Sequence, residues 1–169
     1  MQNKTKMWVG FLSVSMIALG GIKAHEGYRA KSYNDVGKVA TVGYGSTVYE
    51  DGRAVKITDP PVSRERADKM LRAHVSKDEE KLKSMLPSVA LSQAEYDVYI
   101  DFLYQYGAKT FEKSTMRREL LKNDHKAACR ALLRYKYAAG RDCSVRKNNC
   151  YGVWKRQLDR YNKCMEANT

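Results

Sequence analysis

Glu26, Asp35 nine positions later, and Thr41 six beyond that are the residues of this 169-residue chain whose types and spacing could carry chemistry. Cutting a glycosidic bond needs one carboxylic acid to protonate the leaving oxygen. It also needs a carboxylate on the other side of the sugar to activate water or stabilise positive charge. The acid must keep its proton near neutrality, so Glu26 is expected against apolar surface and Asp35 in a wetter setting. Thr41 would lend its hydroxyl to hold the water beside Asp35. On spacing alone the same residues have plainer readings. A Glu after a helix is more often a solvated surface acid, Asn34-Asp35-Val36-Gly37 reads as a turn, and Thr has ordinary β propensity.

Such groups work only when rigid elements hold them at a cleft, and the chain supplies candidates. Residues 23–31 can continue a helix from the apolar run before them. The alternation of Val39, Thr41, Val42 and Tyr44, with glycines at 37, 43 and 45, predicts short strands joined by turns. Glu26 and Asp35 would then face each other across a lobe boundary. Asp59-Pro60-Pro61 marks a loop, Ser63 is a candidate N-cap, and Ala67, Met70, Leu71, Val75, Leu82, Met85 and Leu86 recur at helical spacing. One long amphipathic helix, or two in series, is expected there. The clearest helix spans residues 91–107, with the capping box Ser92-x-x-Glu95, the stripe Val98, Phe102, Leu103 and Tyr106, and Gly107 to close it. Further helices are predicted over 114–122, 125–137 and 153–165. The fold class is α+β, a small β-rich lobe at about 25–60 and a larger helical lobe at about 61–169 with a long central helix, preceded by an N-terminal apolar helix.

Composition sets the boundaries of this reading. With 43% hydrophobic and 30% charged residues and only three prolines, the chain is folded, and its length suits one compact domain. The net charge is +12, and the last third holds 15 Lys/Arg against 5 Asp/Glu, so an anionic partner is expected. Nucleic acid fits the charge with interleaved Tyr135, Tyr137 and Tyr151, but no helix-turn-helix, zinc-finger or RNP signature accompanies it. Anionic lipid or an acidic envelope fits as well, and so does a solvated face that only keeps the protein soluble. The cysteines, Cys129, Cys143, Cys150 and Cys164, favour two disulfides in an oxidising compartment. Of the three possible pairings, Cys143 with Cys150 and Cys129 with Cys164 is favoured. A zinc site is disfavoured, because no C-x2-C pair is present and His25, His74 and His125 lie far off in sequence.

Lys4 and Lys6 precede an uncharged run over residues 7–22, at the short limit for a membrane span. Its apolar side chains supply about 3 kcal/mol of insertion free energy, from which the glycines and serines subtract. A cleaved signal peptide ending at Ala18-Leu19-Gly20 and a buried core helix are the competing readings. The preferred one is a weak anchor over residues 1–24 that exports the protein uncleaved and later lets go.

The stretch from His25-Glu26-Gly27-Tyr28-Arg29 through Tyr33-Asn34-Asp35-Val36-Gly37 to Thr41-Val42-Gly43-Tyr44-Gly45 resembles the signature of the phage-type lysozymes of glycoside hydrolase family 24, in their signal-anchor-release form. That family has E-G-x-R, Y-x-D-x-x-G and T-x-G-x-G at this spacing. The segments Phe102-Leu103-Tyr104-Gln105-Tyr106-Gly107, Phe111-x-x-Ser114-Thr115-x-x-Arg118 and Tyr151-Gly152-Val153-Trp154-Lys155-Arg156 continue the similarity. Ser46 stands where the family often has His, and Trp154 and Gln157 depart from the late element. The resemblance implies a lysozyme-like fold and an inverting muramidase acting on peptidoglycan without metal or cofactor. Glu26 would be its general acid, with Asp35 and Thr41 holding the attacking water. Tyr44, Tyr104, Gln105 and Arg29 are the further substrate contacts it suggests, with Gln105 bordering the cleft and Arg29 fixing geometry by local charge pairing. A monomer is expected, exported to the host periplasm and tethered to the inner membrane through residues 7–22 before release, with no nucleic-acid partner. The competing function is a cationic membrane- or nucleic-acid-binding protein without hydrolase activity.

Overall fold

The computed structural model describes residues 4–35 and 37–169; residues 1–3 of the expected anchor and Val36 of the expected turn lie outside the described residues. The chain divides into two compact units, Val14–Glu80 and a second that joins the N-terminal arm through Ser13 to Lys81–Thr169.

The Val14–Glu80 unit opens with helix α1 (Met16–Glu26), started by Ser15, whose side chain accepts from the Ala18 amide at 3.1 Å. Leu19 and Ile22 are its buried residues, and Lys23 pairs with Asp68 at 2.6 Å. Strands β2 (Arg29–Asn34) and β3 (Ala40–Gly43) form an antiparallel hairpin in which Tyr33 faces Thr41 and Asn34 faces Ala40, with a register shift between Arg29 and Tyr33. This is the small sheet the glycine spacing predicts. Helix α2 (Arg64–Met85) is one continuous helix, capped as expected by Ser63, whose Oγ accepts from the Arg66 amide at 3.1 Å. Gly43 meets it closely: a Cβ there would stand 3.0 Å from the Cβ of buried Ala67.

The second unit is built on α3 (Gln93–Tyr106), where Ser92 and Glu95 make the predicted capping box. Around it stand α4 (Ala108–Glu112), α5 (Thr115–Leu121), α6 (His125–Ala131) and α7 (Tyr151–Glu166). Phe102 centres the core: its ring lies 4.7 Å from those of Tyr106 and Tyr135 and 6.4 Å from that of Phe111. Cys129 is bonded to Cys164, joining α6 to α7, and Cys143 to Cys150, the pairing expected from sequence.

Three sequence expectations fail on local grounds. The apolar run 7–22 is not one helix. Met7–Trp8 is strand β1, paired with β4 (Ala90–Leu91), Val9–Phe11 is a 3-10 turn, and only α1 continues the run as helix. Among the described residues no helix is long and apolar enough to cross a membrane. The segment 125–137 is α-helical only to Ala131 and passes through a 3-10 turn at Leu132–Arg134, and its end, Tyr137–Ala138 (β5), pairs with Arg141–Asp142 (β6) across a two-residue turn at Ala139 (φ 48) and Gly140 (φ 75). Positive φ at both turn positions is what a tight, correctly twisted hairpin demands. In the same way, 23–31 is helical only to Glu26, where Gly27 at φ 69 turns the chain into β2.

Buried charge in this unit sets its acid sensitivity. Glu95 is fully buried. Burial alone would raise its carboxyl, but hydrogen bonds from His125, the Ser92 amide and Asn168 outweigh that and hold it below the ordinary range. At Asp101, burial is likewise outweighed by Arg160 and Arg156. A carboxyl depressed in the folded state adds stability above its unfolded pKa, and the contribution disappears as pH falls through the folded value. The melting temperature should therefore be level between about pH 5 and 7 and fall below about pH 4. A melting temperature unchanged down to pH 2 would contradict this account.

Candidate active site

Glu26 is the last residue of α1. The Gly27 amide donates to the Lys23 carbonyl at 2.9 Å to close the helix, so the Glu26 side chain stands at a fixed end of it. Tyr28 then pins the chain by donating its hydroxyl to the Val62 carbonyl at 2.6 Å. Glu26 is half-buried, against the backbone of Gly45: a Cβ at that glycine would stand 3.3 Å from Glu26 Oε2 and 3.8 Å from its Cδ. Gly45 also has φ +82, a conformation L side chains rarely adopt. Glycine is thus favoured here by its backbone conformation, and a Cβ would additionally ask the Glu26 carboxylate to shift by a few tenths of an ångström.

Asp35 follows β2 and is exposed, the wetter setting expected of it. Its amide donates to the Val39 carbonyl at 3.0 Å, and its carbonyl accepts from the Lys38 amide at 2.9 Å. Its carboxylate Oδ1 accepts from the Val39 amide at 2.8 Å. Lys38, at φ 59, supplies the left-handed residue that closes the turn. Thr41 lies in β3, is only 3% exposed, and donates its hydroxyl to the Val39 carbonyl at 3.0 Å. The backbone of Val39 therefore holds both side chains, its N–H fixing Asp35 and its C=O taking the Thr41 proton. Each fixed group keeps acceptor capacity, at the second Asp35 oxygen and at the Thr41 hydroxyl oxygen.

The wider set divides. Arg29 lays its guanidinium over the Tyr33 ring at 4.2 Å and makes no ion pair among the described residues, so the charge pairing expected of it is replaced by cation–π stacking. Tyr44 is 7% exposed, with its ring 5.7 Å from that of Tyr28 and Lys23 Nζ 5.5 Å from its centroid, which makes packing its visible role. Tyr104 and Gln105 belong to the last turn of α3, both half-exposed. Ser46, 1% exposed, exchanges both backbone hydrogen bonds with Val42 at 2.9 Å. Among the described residues no three His, Cys, Asp or Glu side chains converge to hold a metal. Sequence reasoning missed Val39 and the contact of Gly45 with Glu26. The second was encoded in the T-x-G-x-G spacing; Val39 acts through its backbone and leaves no side-chain signal.

The family model described as phage lysozyme matches residues 23–160. The chain is 29% identical over 134 residues to the endolysin of Salmonella phage P22, covering 79% of this chain and 90% of that protein. It is 32% identical over 133 residues to the SAR-endolysin of bacteriophage PS34, covering 79% and 76%. A solved structure of a P22 lysozyme mutant superposes with a TM-score of 0.70 at 26% identity, over 88% of this chain and 97% of that one.

Proposed function

The chain belongs to the phage lysozyme family, and on that premise we propose that Glu26 is its general acid and that Asp35 and Thr41 hold the water attacking bacterial peptidoglycan. As a family member it is a glycoside hydrolase whose action on peptidoglycan is lytic. The bond is the β-1,4 link between N-acetylmuramic acid and N-acetylglucosamine, as in a muramidase. Membership does not favour the competing reading of a cationic binding protein without hydrolase activity.

The observation that supports these roles is the double use of Val39. With the Thr41 proton spent on the Val39 carbonyl, the Thr41 oxygen can only accept, and so can the ionised Asp35 carboxylate. A water donating one proton to each would have its lone pair left to face the anomeric carbon. As that lone pair forms the new C–O bond, Asp35 takes a water proton, the glycosidic C–O bond breaks, and Glu26 delivers its proton to the leaving oxygen. Attack from the face opposite the leaving group inverts the anomeric centre. Gln105 and Tyr104 would contact the glycan, with Tyr44 and Arg29 in support. The chain would act as a monomer, without nucleic acid or cofactor. Incubated with purified cell walls, it should clear turbidity and release new reducing ends of α configuration; walls that keep both turbidity and bond count would overturn the reading.

Residues 7–22 would tether the exported chain to the inner membrane before release into the periplasm, a reading supported by the likeness to the PS34 SAR-endolysin. The division of this run among β1, a 3-10 turn and α1 would then belong to the released protein. Because α1 ends on Glu26, proteolytic removal of the run would also remove the Ser15 cap and Leu19 that hold that carboxylate's helix. The lytic protein should retain its own N-terminus, so Edman sequencing that began at Gly21 would rule the tether out.

A further inference from the structure

We propose that Arg160, held by Asp101, is a positioning residue that turns the amide of Gln105 so that its Nε2 donates to an acetamido carbonyl oxygen of bound glycan. The inference rests on the reading above that Gln105 meets the substrate. Arg160 is 2% exposed and comes from α7, whereas Asp101 and Gln105 come from α3. Its Nε donates to Asp101 Oδ2 at 2.5 Å, its Nη2 to the Asp101 carbonyl at 3.0 Å and to Gln105 Oε1 at 2.7 Å, and its Nη1 to Gln157 Oε1. Arg156 donates to Asp101 Oδ1 at 2.7 Å from the other side. Gln157 in turn is fixed by donating to the Leu132 carbonyl at 2.7 Å.

A guanidinium has only donors, so it decides which end of the Gln105 amide faces it. The oxygen must point to Arg160, and the NH2 group must point away. Among the described residues that Nε2 has no hydrogen-bond partner, and Gln105 is half-exposed. A donor pre-turned by a buried ion network and left unfilled is what recognition of a neutral carbonyl oxygen needs, because the orienting cost is met before binding. Two arginines sharing one carboxylate also leave surplus positive charge in the cluster, which the Gln105 and Gln157 oxygens help to absorb. A buried charge network of this kind adds little net stability over apolar packing, so its value here lies in fixing direction.

The test uses the full chain and a soluble, uncrosslinked peptidoglycan tetrasaccharide. Gln105→Glu keeps an oxygen for Arg160 but removes both donors. It should melt no lower than wild type, yet raise KM about tenfold with kcat little changed. Arg160→Lys should raise KM by a similar factor, and combining it with Gln105→Ala should add nothing beyond Gln105→Ala alone. Should Arg160→Lys fail to fold, Gln105→Glu decides. Wild-type KM in Gln105→Glu would overturn the proposal while leaving the hydrolase reading intact. A wild-type protein that neither binds nor cleaves the tetrasaccharide would instead overturn that reading.

Discussion

Replacing Glu26 with Gln is expected to lower the rate of reducing-end release from peptidoglycan by about 10³-fold, within the range that general acid catalysis contributes. The amide has nearly the carboxyl's shape but cannot deliver a proton, so the leaving oxygen must depart as a poorly stabilised anion. The helix that presents Glu26 is started by Ser15 and ended by Gly27, and its buried contacts are Leu19 and Ile22. The melting temperature should accordingly stay within about a degree of wild type. Gln also fits beside Gly45, because its planar amide has nearly the size of the carboxylate that stands there. A variant that clears cell walls at close to the wild-type rate would remove Glu26 from the mechanism. A variant that unfolds would point to a structural role for the charge.

The second large effect concerns stability. Cys129–Cys164 closes 35 residues of chain and Cys143–Cys150 closes 7, with Cα separations of 5.5 and 4.9 Å. In the chain-entropy account, the longer loop stabilises by about 4 kcal/mol and the shorter by about 2 kcal/mol. Replacing Cys129 and Cys164 together by Ala should therefore lower the melting temperature by roughly 8 to 16 °C, and replacing Cys143 and Cys150 by about half as much. The long bridge also lies wholly inside the core, with both sulfurs' residues at 0% exposure, so its loss leaves a defect between α6 and α7 as well. Thermal melts of the two double variants under oxidising conditions check the order. An equal loss in both would show that loop length is not what makes the long bridge matter.

Much of the local structure was legible in the sequence because its causes act within about four residues. The Ser92–Glu95 capping box, the Ser63 cap and the alternation that becomes β3 all formed where the side chains ask for them. The motif around Glu26, Asp35 and Thr41, rather than their spacing alone, likewise carried the resemblance to a family. The apolar run failed as a single helix because hydropathy sums over a window, whereas Ser15 caps at one position. Val9 and Leu12 are then buried in one compact unit and Leu19 and Ile22 in the other. Residues 125–137 failed because β5 takes its partner from beyond the segment, at Arg141–Asp142.

What the sequence alone determined is therefore which side chains are candidates for the reaction, the Ser63 and Ser92 caps, and the family whose signature they resemble. Only the tertiary structure decided how those side chains are held. The Val39 backbone serves Asp35 and Thr41 together, Gly45 lies beside Glu26, and Arg160 reaches back 55 residues to turn Gln105. The physical reason is that a hydrogen bond across such a separation depends on where two elements pack, and packing is a property of the whole core.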